Sequence, residues 1–271
     1  MRERDADFRE FDAGYLDEAR AGMWADDRAA LASLDLDGRT RILDVGCGAG
    51  ALTEVLREES SATVVGVDAD IRLLAGVEAA DALVAGDATQ LPFADDAFDL
   101  VVCQALLVNL PDPVRAVREF ARVSSELVAV VEPDNAGVAV ESTVPTESPL
   151  AASAREAYIE GTPTDVTLGS DAQSLFESAG LSSVSTRTYY HAKLTEPPYE
   201  HRALEAARRK VRATRLVDTR ETLLAGDLAM AEYEALVEDW KAMGRAVVEQ
   251  MRAGEYRRAE VVPYYVTVGR V

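Results

Sequence analysis

The stretch best equipped for chemistry is ILDVGCGAG, residues 42–50. A short apolar run carries an acid, Asp44, and glycine then takes every second position at Gly46, Gly48 and Gly50. A strand that turns straight into a helix needs such residues, because glycine accepts positive φ and lets a ligand approach the backbone. The free N–H groups and positive dipole end of the following helix suit an anionic group. A second acid, Asp68, closes the β-branched run ATVVGVD. It stands about where a carboxylate meets a ribose hydroxyl pair in such folds. GCGAGA also fits a dinucleotide fingerprint. Loop and acid together therefore admit two ligands, NAD or an adenosyl cofactor, since both carry that ribose. A third acid, Asp87, begins the long pattern GDATQLPFADDAFDLVVC, residues 86–103.

These groups need elements to hold them. Residues 41–45, 62–67, 82–85, 99–103 and 127–131 read as short apolar or β-branched strands. Helical periodicity separates them at 51–58, 71–80 and 112–124. The alternation predicts a doubly wound α/β fold, a parallel sheet covered by helices on both faces, with right-handed crossovers. Ahead of it, residues 8–34 read as helical, with Phe8, Phe11, Tyr15, Ala19, Met23 and Trp24 at helical spacings. The second half is more helical, at 148–160, 171–179, 200–217 and 227–252, with strands at 184–194 and 261–271. The expected organisation is an N-terminal helical cap over 1–40, an α/β core over 41–194 and 257–271, and a helical insertion over 195–256. That insertion lies between the last two strands and serves as a lid or as a surface for a homodimer.

The chain has 271 residues and a formal net charge of −20, with acids dispersed along its length. Such a surface repels nucleic-acid phosphates and favours a small-molecule substrate. Its only lysines are Lys193, Lys210 and Lys241. Dispersed acids with scarce lysine resemble the proteins of salt-accumulating halophilic archaea, which implies a need for salt to screen self-repulsion. No run reaches the roughly 18 apolar residues of a membrane helix. The start, MRERDADFRE, lacks the apolar segment of a secretory signal, so a cytoplasmic location is expected. Cys47, Cys103, His191 and His201 do not cluster, so neither a disulfide framework nor a metal site is expected.

At residues 86–103 the chain resembles the class I S-adenosylmethionine-dependent methyltransferases, in particular their small-molecule branch with LPF-x-D-x-x-FD-x-V. ILDVGCGAG resembles that family's glycine-rich motif, VVGVDAD its ribose-acid motif, and VNLPDPVRAVREFARV the helix before strand five. The resemblance covers roughly residues 40–135 and implies a Rossmann-like, seven-stranded, mostly parallel sheet with an antiparallel last strand. It implies S-adenosylmethionine as cofactor and S-adenosylhomocysteine as product. Asp44 and the backbone of Gly46–Gly48 would hold the methionine part, with Gly50 completing the turn. Asp68 would take both ribose hydroxyls, Ala69 would wall the adenine, and Asp87 with the Ala88 N–H would meet the ring's polar edge. Gln104 would lie near the cofactor's amino-acid end. Cys47 belongs to the same loop, where its small side chain packs against the turn. The family's PGG turn before strand five is replaced by SSEL, residues 124–127, and no NPPY-like stretch follows strand four. Asn109 stands where quinone-biosynthesis methyltransferases carry an asparagine-containing turn.

The expected reaction is in-line displacement at the methyl carbon, to an oxygen, nitrogen or carbon of a small acceptor. Alignment and exclusion of water do most of that work. A base is needed only where the acceptor must lose a proton. Candidates are His191, Tyr189, Tyr190, Tyr15 and Glu132. Two other readings share the glycine loop: an NAD-dependent oxidoreductase, which leaves 86–103 unexplained, and a non-catalytic S-adenosylmethionine-binding module.

Overall fold

The structure, a computed structural model, describes residues 23–24 and 28–271. Among the described residues its strands and α-helices are, in chain order, β1 (Arg41–Val45), α1 (Ala51–Glu59), β2 (Thr63–Asp68), α2 (Ile71–Leu74), β3 (Ala82–Ala85) and β4 (Phe98–Gln104). Next come α3 (Pro113–Val123), β5 (Ser124–Pro133), β6 (Ala139–Ser142), α4 (Glu147–Gly161), α5 (Ala172–Ala179) and β7 (Ser182–Thr195). The chain ends with α6 (His201–Arg212), α7 (Thr214–Asp218), α8 (Arg220–Ala225), α9 (Met230–Ala253) and β8 (Arg258–Arg270).

Two compact units divide the molecule. The first runs to Pro133 and takes in Leu168–Tyr189 and Tyr264–Val271; the second is Asp134–Thr167 with Tyr190–Pro263. In the first, strand order is β3-β2-β1-β4-β5-β8, and β7 pairs with β8. Strands β1 to β5 run parallel, and β8 runs antiparallel to β5, from Leu127↔Arg270 to Pro133↔Tyr264. Four of the five residues of β1 are buried, as a strand covered on both faces requires. Helix α3 has its own start signal. The Asp112 side chain accepts from the Arg115 N–H at 3.1 Å, and Pro113 occupies the first turn. Ala116, Val117, Phe120 and Val123 then recur on one face and enter the sheet's core.

The chain moves outward from β1 through β2 to β3, then returns to the other side of β1 as β4. The crevice at that reversal, beyond the carboxyl ends of the strands, is where open α/β sheets bind ligands. Register brings the strand ends level, with Val45 opposite both Val67 and Cys103, and Asp68 opposite Ala85.

The second unit packs its helices around Tyr233, Trp240, Met243 and Val247. Helices α9 and α6 meet backbone to backbone, since a Cβ at Gly244 would stand 2.5 Å from the Val211 nitrogen. The unit holds all of 195–256 and also 134–167 with the adjoining halves of β7 and β8.

Several elements differ from the sequence expectation. An eighth strand, β6, pairs antiparallel with β8 from Ala139↔Val261 to Ser142↔Arg258. The helix expected over 71–80 stops at Leu74. Its continuation turns so that Val77 reaches Gly50. The helix expected over 200–217 breaks at Ala213, which sits at φ 51. Of the helical reading over 8–34, residues 8–22 and 25–27 lie outside the described residues, and Ala29–Leu34 forms a 3-10 helix.

Candidate active site

The glycine corner follows β1. Gly46, Gly48 and Gly50 adopt φ of 68°, 54° and 89°, the region that favours glycine. The Gly46 and Cys47 N–H groups donate to the Val67 carbonyl at 2.7 and 3.1 Å, tying the corner to β2. The space beside it is also occupied: a Cβ at Gly46 would meet Leu106 Cδ1 at 2.9 Å, and one at Gly50 would meet Val77 Cγ1 at 2.8 Å. Cys47 is buried with its Sγ against Gly66 of β2, so its thiol packs under the turn.

Three carboxylates lie at or beside the ends of successive strands. Asp44 is buried in β1 and accepts from Thr53 Oγ1 of α1 at 2.6 Å. Asp68 ends β2; its Oδ2 accepts from the Gly48 N–H at 2.8 Å and its Oδ1 from the Asp70 N–H at 2.8 Å. Each oxygen has a further lone pair for a ligand hydroxyl. Asp87 follows β3, and its Oδ1 accepts from the Thr89 N–H at 2.7 Å and the Thr89 hydroxyl at 2.8 Å. Both bonds fall on one oxygen. Among the described residues Oδ2 is left without a partner. Ala69 is exposed beside Asp68, while Ala88 is buried beside Asp87.

Gln104 ends β4 and is buried. Its Oε1 accepts from Trp24 Nε1 at 3.3 Å, and its Nε2 lies 2.8 Å from Met23 Sδ. The structure therefore gathers Asp44, Gly46, Cys47, Gly48, Gly50, Asp68, Ala69, Asp87, Ala88 and Gln104 around the ends of β1 to β4.

Of the base candidates, Tyr189 and Glu132 lie in the same unit as these residues. Tyr189 sits on β7, separated from β1 by β8, β5 and β4, about 19 Å at the usual strand spacing. Its hydroxyl donates to the Ala29 carbonyl at 3.2 Å. His191 and the exposed Tyr190 belong to the half of β7 in the second unit. Tyr15 lies outside the described residues. Glu132 is buried at the end of β5 with no exposed surface. Burial pushes its carboxyl up to about 7, against the pull of backbone N–H groups of Leu107, Val108 and Leu106. The sequence expectation placed Met23 and Trp24 in the N-terminal helix, with Trp24 able to cap the site, and did not include Thr53 or Leu106. Only Thr53, in the first turn after the glycines, had a position that could have revealed it.

Residues 43–126 match the model of a methyltransferase domain. A demethylmenaquinone methyltransferase of Mycobacterium marinum is 41% identical over 98 residues, which are 36% of this chain and 42% of that one. The chain spans about half the length of the curated relatives it matches. Among solved structures, a candidate methyltransferase of Bacillus halodurans aligns with TM-score 0.53 at 16% identity, covering 91% of this chain and 98% of that one. A complex of the Haloferax volcanii Trm112 methyltransferase activator with a candidate methyltransferase aligns with TM-score 0.52 at 17% identity, covering 95% of this chain and 94% of that one. These likenesses show the fold, a Rossmann-like mixed α/β sheet that is parallel apart from its last strands. Among the described residues, no helix is long and apolar enough to cross a membrane, and no His, Cys, Asp and Glu group could hold a metal ion.

Proposed function

We propose that the chain is an S-adenosylmethionine-dependent methyltransferase that transfers a methyl group to a small organic acceptor. The observation that carries this reading is the set of three carboxylates, Asp44, Asp68 and Asp87, placed around the glycine corner within the stretch that matches the methyltransferase domain. An adenosyl cofactor fits the donor set. Asp68 keeps a lone pair on each oxygen for two ribose hydroxyls, and Asp87 Oδ2 suits the adenine amine. A dinucleotide would use the corner and Asp68 but would give Asp87 no role.

Bound S-adenosylmethionine supplies a methyl group already activated on a sulfonium. The protein's task is then to fix distance and angle and to keep water out. Asp68 and Asp87 fix the nucleoside end. Asp44, oriented by Thr53, and the corner's backbone fix the amino-acid end, with Gln104 beside it. The Mycobacterium marinum relative and the position of Asn109 support a quinone-type acceptor, so demethylmenaquinone is the first acceptor to test. The net charge of −20 supports a salt-rich working environment.

The test is thermal unfolding in molar KCl with S-adenosylhomocysteine, S-adenosylmethionine or NAD in separate samples. Ligand at a hundredfold over its Kd stabilises by about 2.7 kcal/mol, several degrees for a chain of this size. Stabilisation by the adenosyl ligands alone is expected. Stabilisation by NAD alone would overturn the reading.

A further inference from the structure

Glu132 makes a set of interactions that the site as described leaves unused. Its Oε1 accepts from the Leu106 N–H at 3.0 Å and the Leu107 N–H at 2.8 Å, and its Oε2 from the Val108 N–H at 3.3 Å. The Cys103 thiol adds a contact at 3.7 Å. Three consecutive amides therefore converge on one carboxylate at the end of β5. They belong to the turn that leaves β4, where Ala105 sits at φ 49 and Leu107–Asn109 closes a 3-10 turn. The Asn109 Nδ2 fastens the turn from its other side by donating to the Ala105 carbonyl at 2.8 Å. Leu106 projects from this turn to the glycine corner, filling the volume a Cβ at Gly46 would need.

The chemistry of the contact is selective. In its ionised form Glu132 offers two acceptor oxygens and no donor. A glutamine of the same shape would turn an NH2 toward one of the amides, and that amide would lose its acceptor in a site closed to water. An unpaired buried donor is costly. With no exposed surface, Glu132 is closed off from an acceptor that would need it as a base.

We propose that Glu132 is a positioning residue for the cofactor site: its carboxylate sets the 105–109 turn so that Leu106 closes against the glycine corner. The proposal rests on the methyltransferase reading, because the ligand of that corner is taken to be the adenosyl cofactor. Glu132 acts only through Leu106 and the turn's backbone.

The test combines Glu132→Gln, Leu106→Ala and the double variant. S-adenosylhomocysteine binding is measured by calorimetry, and amide exchange and Tm are measured on the ligand-free proteins. Glu132→Gln should weaken binding about tenfold, and the double variant should bind no more weakly than the poorer single variant, since coupled residues are non-additive. Amides 106–108 should exchange faster in Glu132→Gln while those of β1 and β2 keep their rates. Wild-type affinity in Glu132→Gln, or penalties that multiply in the double variant, overturns the proposal. So does exchange that quickens equally across the whole sheet, which marks a general loss of fold. Should Glu132→Gln not fold, Leu106→Ala binding as tightly as wild type is the overturning result. Failure of the wild-type protein to bind S-adenosylhomocysteine overturns the functional reading itself and is visible before any variant is made.

Discussion

Glu132 and Glu147 are buried to nearly the same depth, 0% and 1% exposed, yet the two units compensate them in different ways. Glu132 meets neutral donors, three backbone amides and a thiol. Glu147 meets cations and hydroxyls: Lys210 Nζ at 2.5 Å, Arg258 Nε at 3.1 Å, Tyr256 Oη at 2.9 Å and Ser142 Oγ at 2.6 Å. Burial pushes both carboxyls up. At Glu132 it wins, and the group stands at about 7. At Glu147 the Lys210 ammonium overcomes it, and the group stays below the ordinary carboxylate range. Dipoles shape a turn without fixing its charge. An ion cluster ties together α4, α6 and β8 and fixes the charge as well.

The largest effect should come from Glu147→Ala, which leaves Lys210 buried without its counter-ion, while Arg258 keeps Glu260 at 2.6 Å. Breaking such a pair costs about 3–5 kcal/mol. Urea unfolding should show the loss, and Glu147→Ala combined with Lys210→Met should recover part of it. A cost below about 1 kcal/mol, the ordinary worth of a surface pair, would break the contrast.

Asp68 sharpens the comparison, because it is a carboxylate held by amides but open to a ligand. Asp68→Ala should weaken S-adenosylhomocysteine by roughly tenfold to a hundredfold, the worth of hydrogen bonds to a charged group. Calorimetry measures it. A change in stability with no change in affinity would place Asp68 with Glu147 as a structural acid.

The pH dependence has opposite signs for the two glutamates. Glu132 titrates higher in the folded protein than its ordinary 4.5, so its contribution is complete below about 4.5 and is lost as pH rises to about 7. Glu147 titrates lower, so its contribution is present above 4.5 and is lost as pH falls through its depressed value. Between pH 5 and 7 the stability difference between wild type and Glu132→Gln should therefore slope, by at most about 1.4 kcal/mol per pH unit. Chemical unfolding at several pH values reads that slope directly. A flat difference would show that the amides, not burial, control Glu132.

Salt should separate the buried cluster from the surface with the smallest effect on the cluster. Raising KCl from 0.1 to 1 M shortens the screening length from about 10 Å to about 3 Å. Wild-type Tm should rise as the −20 surface is screened. The penalty of Glu147→Ala should barely change, since its partners are shielded from bulk ions.

What the sequence reveals follows from how local each signal is. The corner and the acids at 44, 68 and 87 are legible because strand, glycine and carboxylate lie within a few residues of one another. Helix α3 announces itself through Asp112, Pro113 and its apolar face. Strand β6 carries only AVES, too short and too polar to alternate visibly, and it exists because β8 offers it an edge. The break at Ala213 has no local mark, because alanine favours continuing the helix. The early end of α2 depends on Val77 meeting Gly50, a contact between residues 27 positions apart. From sequence Glu132 is a candidate base at a strand end and Glu147 stands one residue ahead of the expected helix; the roles of both depend on distant groups that surround them.

Each unit also carries one of the chain's two tryptophans, and their surroundings differ. Trp24 hydrogen-bonds a buried amide, while Trp240 is packed among helices. The molecule thus has two built-in fluorophores, one polar and beside Gln104, one apolar and within the helical core. Trp24→Phe and Trp240→Phe would silence them one at a time. Emission from the remaining indole then follows the melting of a single unit, and with Trp240→Phe it tests whether the proposed adenosyl ligand reaches Gln104.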